Sequence, residues 1–369
     1  MTSRAAAQSR HFDRESVQLC KGLAIVVIVL HNYFHWVEPI VGQNEFAFSA
    51  VRIVRLWELL SAYPQGALQL LLAYFGHYGV QLFLFLSAYG LARRYPDGVR
   101  WLPFMGRRVA RIYPTLALAI VVHAIFVVTI WNPHFVWYLK AYMLELSMLY
   151  GVWPERQLLL VGPWWFFSMI FQFYALFPLL CRIARRYGGT GLAAVGATGL
   201  AITVAIDPFL LDAGLYVGAT VIGNMPVLCL GIYLARSDGI SIRRSIVVAA
   251  AAIFALGNAL ESFWYLAPIA VTILFVALLR WGLPRLSERG ATYRLLEYYG
   301  YLSLPLFAFH GLMRAPFVRY ANAEDNAFVT LALGLYFLLA ATAAAQAIAW
   351  TEELGRRRFV RWRAQASDH

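Results

Sequence analysis

The sequence predicts an all-α, polytopic membrane helix bundle. Three observations carry that reading. Hydrophobic residues make up 61% of the chain and charged residues 14%, against roughly 45–50% and about 25% in soluble domains. The apolar residues gather into about ten runs that approach the roughly 20 residues a helix needs to cross a bilayer. Basic residues alternate in density between the connecting segments, as the positive-inside rule requires. The net charge of +12 does not point to nucleic acid, which calls for a basic face clustered on a soluble body.

In chain order the expected spans are 19–37, 68–92, 113–131, 163–181, 190–206, 216–234, 245–260, 263–281, 296–315 and 327–350. With both termini cytoplasmic, 25 of the 31 Lys and Arg fall on inner segments and 6 on outer ones. The segment 133–160 is apolar but carries Lys140, Glu145, Glu155 and Arg156, so it reads as an interfacial or re-entrant helix. A further span there would invert every later loop and put the RRRFVRWR tail outside. The amphipathic stretch 44–62 suits a helix lying on the membrane surface. The first apolar run is followed by HNYFHW rather than a small-residue cleavage site, so it stays as the first helix. The expected organisation is a cytoplasmic tail over 1–18, one transmembrane unit over 19–350 and a basic cytoplasmic tail over 351–369. Cys20, Cys181 and Cys229 fall near the inner face, where thiols stay reduced.

Ionisable and strongly polar groups inside spans cost a few kcal/mol unless they face a paired or wet interior, which makes them site candidates. They are Lys21, His31, Asn32 and His35 in span one, His77 and Gln81 in span two, His123 in span three, Ser168 and Gln172 in span four, and Glu297 and His310 in span nine. Lys21 and His31 lie about 15 Å apart along a helix axis, and Lys21, Asn32, His31 and His35 share one broad sector of it. His35 equally suits a headgroup-level histidine. His31 and His35 at i, i+4 would make a zinc pair, but no third ligand has a telling position, and no metal is expected. The inner loop ends in GRRVARIYP, where Arg107, Arg108 and Arg111 form a compact RRxxR suited to phosphate. The run GPWWFFSMIFQFYALFPLL sets Trp165, Ser168 and Gln172 together, and tryptophans beside polar groups suit sugar rings.

Taken together, these segments resemble the acyltransferase-3 family of polytopic membrane O-acyltransferases. The resemblance rests on CKGLAIVVIVLHNYFHW, GVQLFLFLSAYGLARRY, FMGRRVARIYP, GPWWFFSMIFQFYALFPLL and YLSLPLFAFHG, five pieces in the family's order. The chain departs from the pattern at Lys21, usually Arg; at His31, one position before the usual histidine and beside Asn32; at Gln81, usually Asp; and at Ile170, usually Glu. The resemblance implies transfer of an acyl group, most often acetyl from cytoplasmic acetyl-CoA, to a hydroxyl of a cell-envelope polysaccharide, oligosaccharide or lipid-linked glycan in the bacterial inner membrane. No tightly bound cofactor is implied; acyl-CoA is a substrate. On that footing Arg107, Arg108 and Arg111 hold the CoA phosphates, Lys21 stands above them, and His31 is the base. Asn32 or His310 orients His31 or stabilises the tetrahedral intermediate, while Trp165, Ser168, Gln172 and His35 line the acceptor side. The alternatives are a multi-pass transporter or flippase, or a non-catalytic membrane partner of a glycan-synthesis system.

Overall fold

In the computed structural model of the chain, residues 11–39, 43–130, 135–158, 160–286, 290–324 and 326–366 are described. They are helical throughout, joined by short turns. Helix α1 (Arg14–Phe34) starts at Asp13, whose side chain accepts from the Ser16 N–H at 2.8 Å, satisfying one of the orphan donors of the first turn. Helix α2 (Ala50–Ala62) buries only Leu56 and Leu59 and leaves Val51, Val54 and Trp57 exposed, as a helix at an apolar–polar boundary should.

The next span is interrupted. Helices α3 (Ala67–Phe75) and α4 (Gly79–Arg94) continue each other across the short 3-10 turn Gly76–Tyr78. Helix α5 (Trp101–Ile130) follows, and α6 (Phe135–Leu146) takes the place of the expected interfacial segment, which continues as turns. Helix α7 (Trp165–Asp212) has two arms that meet at Gly188, whose φ of 59° and ψ of −146° break the helical path. Only glycine adopts that conformation at little cost, and it falls between the spans expected at 163–181 and 190–206. Then come α8 (Met225–Arg236), α9 (Arg244–Ala259), the single turn α10 (Glu261–Trp264), α11 (Ala267–Gly282), α12 (Ala291–Ala321) and α13 (Ala327–Ala366).

Among the described residues, six stretches are long and apolar enough to cross a membrane: Arg14–Phe34, Pro64–Arg94, Trp101–Val127, Gly162–Asp212, Ala267–Arg285 and Ala327–Gly355. The chain is a multi-pass helical membrane protein. The six differ from the ten expected spans for identifiable reasons. Two expected spans share α7, α8 and α9 have 12 and 16 residues, and α12 carries Arg294, Glu297, Arg314 and Arg319 along its 31.

The most extensive helix contact joins α1 to α12. Its closeness depends on glycine: a Cβ at Gly22 would run into the Leu296 carbonyl, and one at Gly300 into that of Gln18. Small residues let membrane helices approach backbone to backbone. His31 on α1 and His35 at its C-cap are thereby held near Arg314 on α12, and His31 near His310.

Candidate functional site

At one end of the bundle, α5 presents Arg107, Arg108 and Arg111 differently. Arg108 is only 7% exposed, its guanidinium lying 5.2 Å from the Phe104 ring centre and 5.6 Å from that of Tyr174. Its Nε has no hydrogen-bond partner among the described residues. A cation so placed, stacked between aromatic faces with a donor unspent, is poised for an anion. Arg107 and Arg111 are exposed. Arg107 lies 5.9 Å from the Tyr95 ring centre. Burial works to raise the Tyr95 phenol, yet the neighbouring guanidinium groups of Arg107, Arg94 and Arg108 hold it below its usual value. Lys21 of α1 reaches the same region, its Nζ 5.7 Å from the Phe83 ring centre and within electrostatic reach of Arg111 and Arg108. This end of the bundle is a basic mouth.

Further along α1 three imidazoles meet. The rings of His31 and His35 stack at 4.7 Å with 20° between their planes, and His77 meets His31 edge to face at 5.7 Å. His31 is 2% exposed; its Nδ1 lies 3.2 Å from the Leu72 carbonyl, which leaves Nε2 unpartnered among the described residues. The approach of His77 needs Gly76, because a Cβ there would stand 2.6 Å from the Cβ of His31. His35 turns back on its own helix, Nδ1 at 2.8 Å from the His31 carbonyl, and Asn32 donates to the Ile28 carbonyl at 3.0 Å. His310 engages Leu306 O through Nδ1 at 2.8 Å and keeps Nε2 unpartnered; His31 and Arg314 lie within its electrostatic reach. Arg314 itself sits 4.7 Å over the Trp36 ring. Among the described residues no group of three His, Cys, Asp or Glu side chains is placed to hold a metal ion.

The aromatic segment opening α7 divides. Trp165 faces a cleft at the end away from the arginines, which also takes in Glu45, His77, Gln81, Asp207 and Trp264. Ser168 is instead bonded to the chain around it, donating to Met148 O at 2.6 Å and accepting from Gly151 N at 3.2 Å. Gln172 donates to Ser168 Oγ at 3.3 Å and accepts from Val221 N at 3.1 Å. These two hold the outer loops onto α7 and do not meet the imidazoles. His77, Gln81 and Arg314 are the residues whose place the sequence did not reveal. The signal for His77 was its setting, FGHYG, since paired glycines around a polar residue mark a close helix approach.

A bundle with a basic mouth at one end, buried imidazoles along its axis and an aromatic cleft at the other is a membrane protein built around an internal polar site. The chain belongs to the acyltransferase 3 family, matching its acyltransferase domain over residues 14–350. Membership implies acyltransferase activity, with an acyl donor and an acceptor. No curated protein and no solved structure matches the chain.

Proposed function

We propose that the protein is a membrane O-acyltransferase that moves an acyl group, acetyl in the first instance, from cytoplasmic acyl-CoA to a hydroxyl of a cell-envelope polysaccharide, oligosaccharide or glycolipid in the bacterial inner membrane. The observation that carries this reading is the pairing, within one family-matched unit, of a buried Arg108 and a buried His31 whose Nε and Nε2, respectively, have no partner among the described residues. Donor phosphates bind Arg108 with Arg107 and Arg111 at its rim, and Lys21 meets the pantetheine arm or a phosphate. His31 Nε2 takes the proton of the acceptor hydroxyl as its oxygen forms the new C–O bond to the thioester carbon. The C–S bond then breaks, and the CoA thiolate takes up a proton. Base and positioning are the contributions such a reaction needs. His310, whose Nε2 is also open, stabilises the intermediate or orients His31; Asn32 is spent on its own helix and supports the turn. Trp165 and His35 stand on the acceptor side, with Ser168 and Gln172 behind them.

The test is direct. His31→Ala abolishes acyl transfer while the purified protein still binds acyl-CoA; transfer surviving that change would overturn the base assignment. Binding of acyl-CoA also separates this reading from a transporter or a non-catalytic partner, neither of which predicts it.

A further inference from the structure

The cleft is an open depression with about 620 Å³ of empty space, part of it open to solvent, between the loop around Glu45, the α3–α4 turn, the later arm of α7 and the start of α11. Its walls are aromatic: Trp165 and Phe46 meet edge to face at 5.4 Å, and Trp264 stands with Tyr265 at 4.9 Å. Two polar groups on its lining lack partners among the described residues. They are Gln81 Oε1 and the whole ring of His77, which is 2% exposed. The Tyr74 carbonyl lies near His77 but outside hydrogen-bonding geometry. Burying a polar atom unpaired costs about 1–3 kcal/mol, and two such groups four residues apart, on one turn of chain, ask for a ligand that both donates and accepts. A hydroxyl does both.

The acidic groups of the cleft are carboxyls, and burial pushes Glu45 up to about 7, so that it is partly protonated near neutrality. Glu45 and Asp207 line it, and Asp207 accepts from Tyr265 Oη at 3.2 Å. Among the described residues no Lys or Arg lines it. Arg52, behind the loop, spends Nη1 on Gln43 O, Ala47 O and Asn44 Oδ1. Carboxylates accept hydrogen bonds from sugar hydroxyls, and aromatic faces stack on pyranose C–H faces. An anionic group would find no compensating cation on this lining.

We propose that this cleft binds the acceptor as a pyranose ring carrying no negative charge, with one hydroxyl seated between Gln81 Oε1 and His77. The purpose of that binding rests on the transferase reading above. Seated there, the hydroxyl lies on the His77 side of His31, so His77 and Gln81 are acceptor-binding residues, and the acceptor enters from the end opposite the arginines.

Saturation-transfer NMR on the full chain in phosphatidylcholine nanodiscs tests it, with methyl glycosides of glucose, galactose, mannose and N-acetylglucosamine against methyl glucuronide. At least one neutral glycoside binds saturably, and the glucuronide binds about tenfold or more weakly by comparison. Gln81→Leu and Trp264→Ala each weaken the neutral ligand by about tenfold, Trp264→Phe keeps most of the affinity, and Arg108→Ala leaves it unchanged. Absence of binding by every neutral glycoside, equal binding of the glucuronide, or an undisturbed Gln81→Leu variant would overturn the proposal. Acyl-CoA binding in the same nanodiscs keeps the two readings apart. Sugar binding without CoA binding removes the transferase and leaves the cleft, whereas CoA binding without sugar binding removes the cleft alone.

Discussion

Arg108 differs from its neighbours by what surrounds it, not by its type. Phe104 and Tyr174 clasp its guanidinium, while Arg107 and Arg111 stand in the open. Arg108→Ala is therefore expected to raise the apparent KM for acyl-CoA by about tenfold or more with kcat little changed, and Arg111→Ala by much less. Arg108→Lys should not restore it, because an ammonium lacks the flat fork that stacks between two rings; steady-state kinetics at varied donor concentration measures all three. The RRxxR motif was legible in the sequence, but which arginine is enclosed was not, since Tyr174 comes from a helix some sixty residues away. The imidazoles repeat the lesson. His31 and His35 announce themselves by spacing, while His77 joins them only because the chain folds a second helix onto α1. With Nδ1 spent on its own helix, His35→Ala should keep activity within a few-fold of wild type, in contrast to His31→Ala.

Helix positions were read well where a run was continuous and poorly where it was broken. The expected span at 216–234 is a set of turns followed by Met225–Arg236, because Gly218, Gly223 and Pro226 interrupt its apolar pattern. The 68–92 segment is split at Gly76, a break imposed by the approach to His31 and invisible in hydropathy. Gly76→Ala should cost stability and disturb the imidazoles together, seen as a lower melting temperature and reduced transfer. Helix α6 carries a second testable tension. Glu145 is 1% exposed, with neither carboxylate oxygen partnered among the described residues, and burial pushes it up to about 8. A raised acid favours folding while it is protonated in the native state. That contribution is complete below its ordinary value near 4.5 and is lost as pH rises through about 8. The melting temperature should thus fall between about pH 5 and pH 9, and Glu145→Gln should flatten the fall.

At the scale of the whole chain, the ten-span orientation expected from the sequence puts 25 basic residues inside and 6 outside, and labelling tests it. All three cysteines are buried, so single introduced thiols report it cleanly. Ser61→Cys should react with an impermeant maleimide from outside the intact cell, and Asp238→Cys only after the membrane is opened. Labelling of both from the same side would mean that the segment around α6 crosses the membrane after all. What the sequence could not convey was how the two ends of the molecule are joined: basic mouth, imidazoles and cleft belong to different helices, and only their packing sets them in a row. That packing is hardest where α1 and α12 touch through Gly22 and Gly300, main chain on main chain, with no side chains between to repack. The two helices must travel as a single strut, carrying Lys21, His31 and His310 along in fixed register. Any breathing that lets large molecules in and out therefore belongs to the periphery, where α2 and α6 pack against few neighbours.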